Sequence, residues 1–390
     1  MSLTRGLDSP RTPLRRFLDR ELSAGCRRLR ATYRARLPSG PLILPGEGVG
    51  YEAGTVGTAI DQRLRLAFTA AAPIDQATKD GIATVKLTAD YLGPHPAWEA
   101  IEAVGSELGR LMHSAIPDLA LDDRARPFTR TDEDEERLAR MLIAAAWFAL
   151  NTRNFMAFPL TPLCKAAFAD PGGFDLATLL ALPHRHLVDD ILAQLRAAEH
   201  GTLGRLRAQS DRAVCSPGPT FDGSSYLAAD ADLIVDGFLL EFKSTRRVEQ
   251  FYKPVILQLL GYALMDFSDR YRIDSLGVYM TRAGALILWP LEDYLALLGA
   301  RRRDLAELRA AFEKLLSHPE YGADNDPLPG ELPGVEALLS ELAPAIDEGC
   351  CRVCAQPLAR PMISATRPRL YCSRFCSSRA SSLRYHGWLT

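Results

Sequence analysis

The chain of 390 residues lacks several features that mark common classes of protein. It has no run of about 18 apolar residues, so we expect no membrane-spanning helix. Its Arg-rich beginning lacks the apolar stretch of a secretory signal, and no P-loop is present, which argues against a built-in ATPase or helicase motor. Apolar content of 47% and charged content of 24% are ordinary for a globular protein. We therefore expect a cytoplasmic protein of two or three domains.

Charge of one sign is missing from two stretches of the chain. Residues 351–390 contain seven Arg and no acid, whereas residues 319–350 contain eight acids and no Lys or Arg. Residues 1–36 contain ten Arg. Basic ends suit a polyanionic partner such as a nucleic acid. The alternative for the N-terminus is that Arg only decorates exposed helices.

Cysteines are sparse along most of the chain and cluster near its end. Two pairs, Cys351-x-x-Cys354 and Cys372-x-x-x-Cys376, have the spacing of chelating thiolates. Four thiolates at this spacing predict a tetrahedral, structural Zn²⁺ site. The segment has so little apolar content that we expect it to need the metal to fold. It resembles treble-clef zinc fingers, whose second pair often reads Tyr-Cys-Ser-x-x-Cys, as residues 371–376 do.

The remaining sequence divides into a helical part and a part with short strands. Periodic apolar residues predict a helix over 10–36 and another over 55–68, and the chain continues mainly helical to about residue 207. After Pro219, short apolar runs predict strands, with a further helix over 291–316. Residues 319–349 are acidic and rich in Pro and Gly, which predicts a linker containing one short helix.

The strongest local signal is Asp236-Gly237 between two short apolar runs, which predicts a β-hairpin with a two-residue turn. Such a turn places Asp232 opposite Glu241, with their Cβ atoms about 5 Å apart. Lys243 shares that face because strand side chains alternate. Adjacent carboxylates repel, and a divalent ion such as Mg²⁺ or Mn²⁺ relieves the repulsion. The alternative is an exposed hairpin with an ordinary cross-strand ion network.

The order Asp232, Glu241-x-Lys243, Gln258-x-x-x-Tyr262 resembles the PD-(D/E)xK nuclease superfamily, and within it the RecB-like clade. The resemblance covers roughly residues 50–70 and 220–295. It implies an α/β restriction-endonuclease-like core, with a mixed central sheet flanked by helices. It also implies that Asp232 and Glu241 bind the metal ion and that Lys243 is catalytic.

The resemblance extends to two helices. Gln258 and Tyr262 lie four residues apart and so share one helix face; in the family this pair helps to bind DNA and to order the site. The first helix of the clade often supplies a His ligand to the metal. In this chain Asp61 takes its place, which makes Asp61 a further candidate ligand of Mg²⁺.

Together these features predict four regions: a basic helix and loop over 1–50, a nuclease domain over 51–318 with a helical insertion at about 75–205, an acidic linker over 319–349, and a zinc finger over 350–390. We expect a metal-dependent DNA nuclease that acts in defence, restriction or repair, with no membrane partner. A protein partner or a second copy is expected to use the insertion or the finger.

Three alternatives remain at this point. The chain can be a catalytically inactive nucleic-acid-binding or protein adaptor that kept the nuclease fold. It can be an RNA-directed nuclease with the same site, because the chemistry acts on phosphates. The C-terminal cysteines can hold an iron–sulfur cluster, as in some RecB-like nucleases, with Cys26 as a ligand from the N-terminal side.

Overall fold

A computed structural model of the chain describes residues 2–47, 52–302, 304–344, 346–359, 362–364 and 367–385. The protein is mixed α/β, with a five-stranded mixed sheet covered by helices on both faces and a two-stranded sheet near the C-terminus. The predicted fold class is confirmed to this level. Within the described ranges, no helix is both long and apolar enough to cross a membrane.

The five strands follow the chain order across the sheet. All neighbours are antiparallel except β3 and β4, which are parallel and are joined by a helical crossover. The β2–β3 turn at Asp236 and Gly237 has φ of 47° and 80°, as a two-residue hairpin turn requires. The predicted hairpin register is therefore confirmed, with Val235 paired to Phe238. The strands are β1 (Cys215–Pro217), β2 (Leu233–Val235), β3 (Phe238–Lys243), β4 (Ser275–Met280) and β5 (Ala285–Pro290).

The N-terminal segment forms three helices, so the prediction of a single helix over 10–36 is wrong. The chain breaks after α2 because Ser23 and Ala24 donate backbone hydrogen bonds to carbonyl groups of Gly299 and Leu298. Tertiary pairing thus overrides the helical periodicity. The three helices are α1 (Leu3–Asp8), α2 (Pro13–Glu21) and α3 (Arg27–Arg36).

One face of the sheet packs on the helices that follow. Leu233, Val235 and Leu240 belong to the same buried cluster as Trp147 and Phe148, as expected for a core face. The helical insertion is therefore packed directly against the sheet. Its helices, with the one before it, are α4 (Ala53–Phe68), α5 (Gln76–Ala83), α6 (Val85–Leu92), α7 (Ala97–Leu119), α8 (Asp132–Arg153), α9 (Pro162–Ala169), α10 (Leu176–Ala181), α11 (Arg185–His200) and α12 (Thr202–Gln209).

The other face is also covered, although the hairpin pattern predicted a polar face there. Ile234 and Leu239 alternate with the polar residues and pack into a second buried cluster with α1–α3 and four further helices. The candidate site is thus buried at the end of a covered sheet and does not lie on an exposed hairpin. The four helices are α13 (Lys253–Met265), α14 (Leu291–Leu298), α15 (Leu305–Leu316) and α16 (Leu332–Glu341).

The C-terminal module has its own small core. Cys351, Cys354 and Cys376 pack with Val353 and Leu383 in a cluster separate from the other two. The module contains β6 (Met362–Ser364), β7 (Arg367–Pro368) and α17 (Arg374–Tyr385).

Candidate active site and metal centre

Asp232 lies immediately before β2 and is fixed by the neighbouring strand. Its Oδ2 accepts a hydrogen bond of 2.6 Å from the backbone N–H of Phe242. The β2–β3 pairing ends with Leu233 opposite Leu240, and continued by one residue it would place Asp232 opposite Glu241. The hairpin register, continued along the chain, would also place Asp230 opposite Lys243, but β2 begins only at Leu233, and Asp230 pairs with Thr220 instead. The hairpin itself therefore does not include Asp230, although the charge of Asp230 still raises the pKa of Arg65 and of Tyr262.

Glu241 and Lys243 form an ion pair in which one carboxylate oxygen has no partner. Lys243 Nζ donates to Glu241 Oε1 at 2.5 Å. Glu241 is only 3% exposed, and its Oε2 is buried without a hydrogen-bond partner among the described residues. Burial, followed by repulsion from Asp232, raises the pKa of Glu241 to about 7. A buried carboxylate oxygen without a donor is costly and suits a cation.

The Lys243 ammonium keeps its proton. Burial lowers its pKa, but attraction to Glu241 and Asp232 outweighs burial and leaves the pKa above its ordinary value. Lys243 is therefore charged at neutral pH. In this arrangement it can stabilise negative charge that develops on a bound group, whereas it cannot accept a proton.

Arg65 is a cation of the site that the sequence reasoning missed. It lies on α4, 5% exposed, and binds both oxygens of Asp61, with Nε 2.9 Å from Oδ1. The same guanidinium donates to Asp232 Oδ1 at 2.8 Å. Asp61 and Arg65 are four residues apart, the spacing of a helical ion pair, and that spacing was the signal available in the sequence. Burial raises the pKa of Asp61 to about 8 although Arg65 opposes the shift.

These donors fit a divalent ion in part. Asp232 and Glu241 offer hard carboxylate oxygens of the kind that Mg²⁺ and Mn²⁺ prefer, and Glu241 Oε2 has no other partner. Both Asp61 oxygens are bound to Arg65. Asp232 has one oxygen on Arg65 and the other on the backbone N–H of Phe242, so the oxygen open to a cation is Glu241 Oε2. Glu241 would therefore hold the ion first, and Asp232 would join it through the second lone pair of an oxygen that already accepts a hydrogen bond. Asp61 would do so only if Arg65 moved away.

Gln258 and Tyr262 face the acidic residues from α13. Gln258 Nε2 donates to the Tyr262 hydroxyl at 2.6 Å, as their spacing predicts for one helix face. Burial raises the pKa of Tyr262 well above its usual value, and Glu241 and Asp232 add to the shift. The Tyr262 hydroxyl is thus neutral, beside the carboxylates, and oriented by Gln258.

A buried polar network fixes the end of β3 just beyond Lys243, and no sequence motif indicated it. Gln194 Oε1, from α11 of the insertion, accepts hydrogen bonds from Ser244 Oγ at 2.8 Å and from Thr281 Oγ1 at 2.5 Å. Gln194 also donates to Asp190 at 3.2 Å. Asp190 forms a bidentate pair with Arg282, both contacts being 2.8 Å. The insertion therefore helps to hold the end of β3 in place.

The four predicted C-terminal ligands come together. The Sγ atoms of Cys351, Cys354, Cys372 and Cys376 all lie within 4.8 Å of one another. Burial raises the pKa of Cys351, but hydrogen bonds from backbone N–H groups outweigh it and lower the pKa to about 7. Ala355 follows the first pair with φ of 54° and turns the chain back. Within the described chain, this is the one group of three or more His, Cys, Asp or Glu that is close enough to hold a metal ion.

The basic N-terminus is partly neutralised within the chain, since four of its ten Arg form ion pairs. Arg16 and Arg20 of α2 both pair with Glu336 of α16. Asp19 of α2 in turn pairs with Lys253 of α13. The acidic segment 319–349 thus packs against the N-terminal helices and takes up part of their charge.

Comparisons with models of protein families, with curated proteins and with solved structures found no match to this chain. A function can therefore be argued from the residues of the site alone.

Proposed function

We propose that this chain is a metal-dependent phosphodiesterase of the PD-(D/E)xK type that cleaves nucleic acid, on a restriction-endonuclease-like core. The observation that carries the proposal is the buried Glu241 oxygen without a partner, next to Asp232 and Lys243. The buried group contains three carboxylates and only two cations, Arg65 and Lys243, and such an excess of acid is typical of a site that binds a further cation. The C-terminal cysteines are proposed to bind Zn²⁺ as a structural ion.

The roles follow from the charges. Asp232 and Glu241 would hold Mg²⁺ or Mn²⁺, which when bound supplies Lewis-acid stabilisation of charge on phosphate oxygens. Lys243 donates a hydrogen bond from its charged Nζ to the phosphate as negative charge develops there. Tyr262, oriented by Gln258, donates its hydroxyl proton in a hydrogen bond to the substrate or to the attacking water. The residues of the site act on the phosphate group, which DNA and RNA share. We therefore propose DNA as the substrate and RNA as the alternative.

The test is cleavage of plasmid, linear duplex, single-stranded DNA and RNA with added Mg²⁺ or Mn²⁺. We expect Lys243→Ala and Glu241→Gln each to lower the rate by at least about 100-fold, because each removes charge stabilisation in the transition state. The matched controls are Lys86→Ala and Glu107→Gln, exposed residues of the same types in the insertion. Cleavage that survives both site substitutions, or is absent for every substrate, would contradict the proposal.

One observation favours a second candidate, a nucleic-acid-binding adaptor without catalysis. Arg65 binds Asp61 and Asp232 and so supplies a positive charge where the resemblance requires a metal ion. In an adaptor the arginine would be a permanent counter-ion. The two candidates differ in whether the site binds Mn²⁺, which isothermal titration calorimetry measures without any need for turnover.

A further inference from the structure

Two aromatic side chains of the insertion are exposed and contact each other. Tyr91, on α6, is 70% exposed, and Phe155, just after α8, is 40% exposed. Their ring centroids lie 5.4 Å apart with the planes at 86°. Exposed aromatic pairs of this kind are costly in water and usually have a partner. We refer to them as the Tyr91–Phe155 pair.

A short path connects this pair to the candidate active site. Arg153, two residues before Phe155, donates from Nη1 to Thr58 Oγ1 at 3.1 Å. Thr58 lies three residues before Asp61 on α4, and residues at this spacing share one helix face. The pair is therefore connected to the acidic site through Arg153 and the face of α4 that carries Thr58 and Asp61.

The face of α4 that carries Thr58 and Asp61 has no side chain at two of its positions. Gly54 and Gly57 lie on the same face of α4 as Thr58 and Asp61, at positions i, i+3, i+4 and i+7. A Cβ atom added to either glycine would meet no atom of the described residues within 4 Å. An extended ligand can therefore lie against the α4 backbone between the Tyr91–Phe155 pair and Asp61.

We propose, on the basis of the proposed function, that the Tyr91–Phe155 pair is a stacking platform for bases of a single-stranded nucleic acid whose backbone passes Arg153 toward Asp232 and Glu241. Arg153 is exposed and makes no ion pair with any described residue. It supplies the cation that a polyanion needs beside a group of carboxylates.

The exposed rings favour a single strand over a duplex. In a duplex the base faces are stacked on one another and cannot reach protein rings, whereas a single strand presents them. Phosphate contact by Arg153 and stacking on two rings are both independent of base identity. The platform is therefore expected to give strand selectivity without sequence selectivity.

The test is the binding of labelled single-stranded DNA and RNA of about 12 nucleotides, and of duplex DNA, in buffer without added divalent ions, followed by fluorescence anisotropy. Because no turnover is needed, the measurement is independent of catalysis. We expect Tyr91→Ala and Phe155→Ala each to weaken single-strand binding about tenfold, and to leave duplex binding unchanged. Arg153→Gln is expected to weaken binding and reduce its salt dependence. Leu328→Ala, another exposed apolar residue, is the control.

The outcomes separate this inference from the proposed function. Single-strand binding that is absent in the unmodified chain, or unchanged in the Tyr91→Ala/Phe155→Ala double variant, overturns the platform, even if Lys243→Ala abolishes cleavage. A double variant that changes only the oligomeric state, measured by light scattering, overturns it in favour of contact with a second copy. If the double variant binds single strands more weakly and the unmodified chain cleaves no substrate, the platform is supported and the proposed nuclease activity is contradicted.

Discussion

At the scale of single residues, Arg65 determines how the carboxylates share charge. Its guanidinium holds both oxygens of Asp61 and one of Asp232, and it is almost fully buried. The two carboxylates raise the pKa of Arg65 above its ordinary value despite the burial. A metal ion held by Asp232 and Glu241 would lie close to this fixed positive charge. Arg65 therefore opposes metal binding while it stabilises the protein without metal.

Arg65→Gln is expected to separate these two effects. Without added metal the variant should lose about 3 kcal/mol of unfolding free energy, because two buried carboxylates lose their partner. Its affinity for Mn²⁺ should rise about tenfold, and Mn²⁺ should restore the stability. Calorimetry measures the Mn²⁺ affinity and thermal unfolding measures the stability. The control is Arg110→Gln, at an exposed residue of α7. An unchanged or weaker Mn²⁺ affinity would favour the adaptor over the nuclease.

At the scale of elements, the insertion and the sheet are joined by the buried pair of Asp190 on α11 and Arg282 after β4. The side chains are 0% and 2% exposed and make two parallel contacts. Removing one member leaves an uncompensated buried charge, so Asp190→Ala should cost about 3–5 kcal/mol in denaturant unfolding. Arg185→Ala, which breaks exposed pairs with Glu136 and Asp189, should cost less than about 1 kcal/mol. Equal costs would contradict this account.

The same elements show what the sequence could predict. Asp236-Gly237 fixed the hairpin and its register, because a two-residue turn with positive φ is a local property. The three-residue strand β1 was not predicted, since it exists through pairing with β2. Gln194 was not predicted as part of the site, because nothing local distinguishes a glutamine that meets Ser244 fifty residues away. Arg65 could have been predicted from the sequence, because it lies four residues after Asp61, the spacing of a helical ion pair.

At the scale of the whole molecule, segments distant in sequence complete one core. Phe17 of α2 and Val335 of α16 belong to the same buried cluster as Tyr262 of the site. The Arg-rich N-terminus and the acidic segment before the cysteines meet through Glu336. Neither charge run is therefore free as a whole to bind an external polyanion or polycation.

The C-terminal module differs, because its buried cluster, among the described residues, contains three cysteines and only four other residues, all of them apolar. The module contacts the rest of the chain through the Arg28 guanidinium, which lies over the Phe375 ring at 5.5 Å from its centroid. So small a core cannot offset the entropy of ordering some forty residues, whereas structural Zn²⁺ supplies on the order of 10 kcal/mol. The module should therefore fold only with its metal, while the α/β core folds without it.

Cys354→Ser tests this dependence against Cys350→Ser, since Cys350 is adjacent to the cluster but outside the four ligands. We expect about one zinc per chain by elemental analysis in the unmodified protein and in Cys350→Ser, and a loss in Cys354→Ser, because a tetrahedral site needs four ligands. Hydrogen exchange should then accelerate across residues 350–385 and stay unchanged in the sheet, whose packing does not involve the cysteines. Loss of zinc in Cys350→Ser would assign the fourth ligand differently, and loss of protection in the sheet would mean that the module is part of the main core. If the protein instead contains iron and absorbs visible light, the four cysteines hold an iron–sulfur cluster and not structural zinc.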